Sequence, residues 1–164
     1  GKNMLSYILP ALKKTFVNFE VVSVEEELYE MLDDPDLKFK GYIDLVIKTP
    51  DQKYHVIDWK TCSWGWDSKR KSDRMTTYQL TLYKHFFALK HKIDPKNIET
   101  HFALLKRTAK TNNVEIFRVT SGTKKTENAL KLLNMALYNI KKGRYLKKRS
   151  NCHNCAFNMT KECP

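Results

Sequence analysis

The 164-residue chain is one domain's worth of sequence, and its 41% hydrophobic content is enough for a core, which excludes a wholly disordered chain. No apolar run reaches the roughly 18 residues of a membrane-spanning helix, and residues 1–20 carry no secretory pattern. Thirty Lys and Arg against eighteen Asp and Glu leave a net charge of +12, which predicts attraction to a polyanion.

In chain order, Leu5–Phe16 reads as a helix with Pro10 in its first turn or at a kink. Phe19–Leu28 reads as a strand because Val21, Val22 and Val24 are β-branched. Eight acids and no Lys or Arg lie between Glu20 and Asp36, ending in a turn at Asp33-Asp34-Pro35-Asp36. Tyr42–Thr49 and Tyr54–Thr61 are two strands joined by a hairpin turn at Pro50-Asp51. Ser63–Asp73 is a polar loop with two tryptophans. Met75–Lys90 is a helix with Thr76, Leu80, Tyr83 and Phe87 along one side. Ile98–Arg107 and Asn113–Thr120 are strands joined by a polar turn. Thr123 caps a last helix, Lys124–Lys141, whose apolar stripe is Leu130, Leu133, Leu137 and Ile140 and which Gly143 ends. The order α-β-β-β-α-β-β-α implies an α/β fold, a central mixed sheet flanked by helices.

Two strands carry acids where apolar residues are expected. Asp44 interrupts Gly41-Tyr42-Ile43-Asp44-Leu45-Val46-Ile47, and Asp58 and Lys60 sit in Val56-Ile57-Asp58-Trp59-Lys60-Thr61. Side chains alternate across a strand, so Asp58 and Lys60 share one face while Ile57 and Trp59 turn into packing. If the two strands pair through the Pro50 turn, Asp44 and Asp58 come within reach of one cation. Burying three ionisable groups is costly without partners. Two carboxylates and a backbone carbonyl suit Mg²⁺ or Mn²⁺, and the lysine beside them can position a nucleophile or stabilise charge on a phosphorane.

Together with Tyr78-Gln79-Leu80-Thr81-Leu82-Tyr83, these segments resemble the RecB-type branch of the PD-(D/E)XK nuclease superfamily, which includes RecB- and AddB-like nuclease domains and CRISPR-adaptation exonucleases. The likeness runs from about Val24 to Tyr83, with a further match at Cys152–Cys163. It implies a restriction-endonuclease-like core over residues 1–150 and a Cys-rich tail, 151–164, packed on the same domain. It implies that Asp44, Asp58 and the Trp59 carbonyl bind the catalytic metal and that Lys60 is the catalytic lysine. Gln79 and Tyr83 become the Gln-x-x-x-Tyr pair on one helix face. The family places a glutamate on the preceding strand. Of the three in Val24-Glu25-Glu26-Glu27-Leu28, the pattern favours Glu25, with Glu27 in reserve.

Cys152, Cys155 and Cys163 resemble three ligands of the family's 4Fe–4S staple. The family's fourth cysteine and its upstream histidine-bearing helix have no counterpart here; an N-terminal helical segment is either missing from this chain or dispensed with. A Zn²⁺ site using His153, or a tail that packs without metal, are the other readings, and Cys62 could stand in for the missing ligand. Three cysteines clustered in a tail suit a reduced metal site better than a disulfide framework, which favours an intracellular compartment. Lys69, Arg70, Lys71 and Arg74 around Trp64 and Trp66 suit a single strand of nucleic acid, with phosphates neutralised and bases stacked; a solvated loop over packed tryptophans is the alternative.

The expectation is a Mg²⁺- or Mn²⁺-dependent deoxyribonuclease, an exonuclease acting on DNA ends or single strands, in recombination, repair, phage DNA handling or CRISPR spacer processing. The alternatives are an inactive nucleic-acid-binding module with this fold, a structure-specific DNA or RNA endonuclease, and a metal-stapled interaction domain.

Overall fold

The computed structural model describes residues 2–144, 152–153 and 155–161. They fall into two compact units, residues 1–130 and 131–164. The elements are α1 (Lys2–Thr15), β1 (Glu20–Met31), β2 (Lys38–Lys48), β3 (Tyr54–Cys62), α2 (Ser68–Ser72), α3 (Arg74–His91), a 3₁₀ turn at Pro95–Asn97, β4 (Ile98–Lys106), β5 (Val114–Val119) and α4 (Thr123–Lys141). The sheet order is β1-β2-β3-β4-β5. Only β3 and β4 run parallel, and α3 lies in the connection between them; the other pairs are antiparallel. This is the mixed α/β sheet that the sequence pattern predicts.

Two helices cover opposite faces of β3. Leu12 and Phe16 at the end of α1 form a core with Leu45, Ile47, Ile57 and Ala103, against which Trp59 and Ile116 pack. α3 buries Tyr78, Leu80, Phe86 and Phe87 and meets the other face. Asp73 caps α3 by accepting from the Thr76 N–H at 2.7 Å, and Lys92 closes it in the left-handed conformation. Among the described residues no helix is long and apolar enough to cross a membrane.

Four local expectations are corrected. α1 begins at Lys2, so Pro10 lies inside the helix rather than in its first turn. β2 begins at Lys38, because Lys38–Gly41 extend the ladder against Leu28–Met31 beyond the apolar stretch that marks the strand in sequence. The polar loop contains a one-turn helix, α2, capped by Asp67 through the Arg70 N–H at 2.7 Å. In α4, Ile140 is 72% exposed instead of completing the apolar stripe. Gly143, with φ +60°, follows the helix as expected, and the Arg144 N–H returns to the Asn139 carbonyl.

Candidate active site

The β2–β3 ladder ends at Leu45 opposite Ile57. One step beyond stand Asp44 and Asp58. There the Asp44 carboxylate takes over as acceptor for the next main-chain donor: its Oδ2 receives the Trp59 N–H at 2.7 Å. Asp44 is therefore fixed one residue from Asp58 by the diverging strands.

β2 also reverses its faces here. Phe39 stacks on Phe86, and a Cβ on Gly41 would meet the Tyr83 ring at 2.8 Å, so this half faces α3. Leu45 and Ile47, which unbroken alternation would send the same way, pack with α1 instead. Across the ladder, between the pairs Val24–Leu45 and Glu26–Ile43, Glu25 has φ +53°. A left-handed residue in a strand locally increases its twist. Glu25 and Asp44 thus occupy opposite positions of the β1–β2 ladder, between those two pairs.

Asp58 is 2% exposed. Its Oδ1 accepts from Gln79 Nε2 at 3.1 Å, and the same amide group lies 3.1 Å from the Tyr83 hydroxyl. The i,i+4 spacing of Gln79 and Tyr83 on α3 thereby holds one carboxylate oxygen. Gly41 explains how Tyr83 fits: only a residue without Cβ lets the ring lie on β2. Lys60 Nζ approaches Asp58 Oδ2 to 2.6 Å as an ion pair, yet that buried oxygen makes no well-angled hydrogen bond. Burial pushes the Asp58 carboxyl above its usual range; Lys60 pulls it down and the Asp44 charge pushes it further up. A buried, incompletely bonded carboxylate beside a second carboxylate and a main-chain carbonyl is the donor set that a hard dication fits.

Glu25 is exposed, while its neighbours are engaged elsewhere. Glu26 Oε1 accepts from Lys90 and lies 2.8 Å from both Lys90 Nζ and His91 Nε2. Glu27 accepts from the Tyr42 hydroxyl at 3.0 Å and lies 3.9 Å from Lys40.

The basic loop divides. Trp64 is 74% exposed, but Trp66 is buried, edge-on to Phe102 with ring centroids 5.2 Å apart. Arg70 covers Trp66 at 4.6 Å. Lys71 pairs with Glu115, which also holds the buried Lys106 at 3.4 Å. Trp66 is thus a packed residue, and no base can stack on its buried ring. Lys69, Arg74 and Trp64 remain on the surface. Cys62 is half-buried at the end of β3. Cys152 and Cys155 are free thiols in a turn closed by the Cys155 N–H on the Cys152 carbonyl, and Cys163 lies outside the described residues.

Sequence reasoning passes over a second polar cluster on β3. His55, Glu99 and His101 gather on the face covered by α1. The two histidines lie 46 positions apart and form no short motif; only the parallel β3–β4 register, Ile57 opposite His101, brings them together.

The sequence model of the PD-(D/E)XK nuclease superfamily matches residues 2–160, and the chain belongs to that superfamily. Two solved structures share the fold. The crystal structure of SSO0001 has a TM-score of 0.55 at 16% identity, covering 95% of this chain and 66% of that one. A protein from Eubacterium rectale, described as a candidate exonuclease, has a TM-score of 0.57 at 14% identity, covering 94% of this chain and 59% of that one. The chain therefore spans less than two thirds of the length of either structure. No curated protein matches it.

Proposed function

We propose that this member of the PD-(D/E)XK superfamily is a metal-dependent DNA nuclease that hydrolyses phosphodiester bonds at DNA ends or in single strands. The observation that carries the reading is the buried Asp58 carboxylate, set between Lys60 and Gln79 and one residue from the Asp44 anchor. Asp44, Asp58 and the Trp59 carbonyl would hold Mg²⁺ or Mn²⁺, with Glu25 completing the acidic set from across the ladder. Such an ion supplies electrophilic polarisation of the phosphate and activation of the attacking water.

The chain's own residues do the rest. Gln79 and Tyr83 fix the orientation of Asp58. Lys60, about one-third exposed, can leave Asp58 to meet the negative charge that builds on the phosphoryl oxygens during in-line attack. Lys69, Arg74 and Trp64 offer exposed contacts for backbone and bases, and the net charge of +12 favours a polyanion. The description of the Eubacterium rectale neighbour as a candidate exonuclease supports action on ends over internal cutting. Cys152, Cys155 and Cys163 would supply soft donors to an iron–sulphur cluster or Zn²⁺; the visible spectrum and metal content of anaerobically purified protein distinguish the two, and protein with neither refutes the site.

Cleavage of end-labelled single- and double-stranded DNA with Mg²⁺, with Mn²⁺ and with EDTA tests the function. Lys60→Ala is expected to slow cutting about 10²–10³-fold while leaving most DNA affinity. Undiminished cutting in EDTA, or wild-type rates in Lys60→Ala, would overturn the reading.

A further inference from the structure

We propose that His55, Glu99 and His101 form a second metal site, for a borderline dication of the zinc class, on the side of β3 opposite Asp58. Three donor atoms converge from neighbouring strands. His55 Nδ1 lies 3.1 Å from His101 Nε2, and Glu99 Oε2 lies 3.9 Å from each. The point equidistant from the three is about 2.1 Å from every donor, within the Zn–N and Zn–O bond range.

The surroundings leave those three atoms available. His55 Nε2 lies 3.0 Å from the Thr49 hydroxyl, which itself bonds Asp51. A proton on Nε2 would be held by Thr49, freeing Nδ1 as a ligand, the outer arrangement that ligating histidines use. Glu99 Oε1 is occupied by Arg118 at 3.2 Å and Lys53 at 3.6 Å, which orients the carboxylate and frees Oε2. Phe16 covers both rings at centroid distances of 4.7 and 5.1 Å and shields them from water. Burial lowers the pKa of both imidazoles, His101 to about 3.

Two imidazoles and one carboxylate are a borderline donor set, distinct from the oxygen donors around Asp58, so the two sites sort cations by chemistry. Lys53 and Arg118 oppose a dication and limit the affinity. An ion here would tie β3 to β4 three residues before Asp58, and its first consequence is stability. The competing arrangement is metal-free, with the two neutral rings sharing one hydrogen bond.

The test uses the full chain with Cys62, Cys152, Cys155 and Cys163 changed to Ser and Asp58→Asn, so that neither thiolates nor the oxygen site report. After chelator stripping, Co²⁺ is titrated by visible absorption and Zn²⁺ by competition with a chromophoric chelator. One equivalent is expected, with d–d bands, no thiolate charge-transfer band, and a rise in Tm on adding Zn²⁺. Glu99→Gln is expected to weaken binding at least 10-fold, and His101→Ala to abolish it. No stoichiometric binding by folded protein, or equal affinity in Glu99→Gln, would overturn the proposal. Glu99 lies at the margin of the cluster, so that variant decides if His101→Ala fails to fold.

Discussion

β3 carries two polar clusters, one on each face, and they differ in kind. Toward α3 it presents Asp58 and Lys60, an ion pair steadied by Gln79. Toward α1 it presents His55, which meets His101 beneath Phe16. The first cluster keeps a buried charge that the fold only partly satisfies. In the second, burial lowers the pKa of both imidazoles and so disfavours their charged forms. One strand thus supports an incompletely satisfied ion pair on one face and a pair of buried imidazoles on the other, and each should respond to substitution in its own way.

The largest effect is expected at Asp58. Asp58→Asn should reduce DNA cutting below detection, yet in metal-free buffer its Tm should equal or exceed that of the parent chain, because a buried charge is removed. Nuclease assays and thermal melts check the two halves; a large fall in Tm would mean that the ion pair with Lys60 stabilises the fold after all. Next comes Gln79→Ala, which frees Asp58 Oδ1 without touching the charge. It should raise the Mg²⁺ concentration needed for half-maximal cutting about 10–100-fold, read from a metal titration of the rate.

Gly41→Ala tests the support behind that bond. Its Cβ would stand 2.8 Å from the Tyr83 ring, so Tyr83 must shift, at a cost of about 1–3 kcal/mol in denaturant unfolding. The comparison also extends to pH dependence, where the two faces have opposite signs. His101 is depressed from 6.5 to about 3, so the stability its neutral form contributes is lost as pH falls through that window. Asp58 is raised above 3.8, so its contribution is lost as pH rises through its folded pKa. His101→Gln should flatten the acid limb of a Tm–pH profile, by at most about 1.4 kcal/mol for each pH unit of that window. An unchanged limb would mean that other groups control acid unfolding.

The two clusters also differ in how far they could be read in advance. Asp58 and Lys60 are two positions apart on one strand, and two-residue alternation alone places them on one face. Gln79 and Tyr83 are four apart on one helix, which again is local geometry. His55 and His101 meet only through a parallel strand pair, and the length of the crossover gives no register. The packing of Trp66 likewise depends on Phe102 and Phe117, which reach it from β4 and β5. A loop of cations and aromatics looks the same in sequence whether its rings face solvent or core.

The sequence by itself determined the element order, the mixed sheet and the local pairs, because hydrophobic period and backbone alternation act over a few residues. Tertiary structure alone decided that Glu25 falls opposite Asp44 in the ladder where β2 reverses its faces, that Gly41 makes room for Tyr83, and that two distant histidines gather beside one glutamate. Those outcomes depend on strand register and on which helix covers which face, and both are fixed only when the whole core packs.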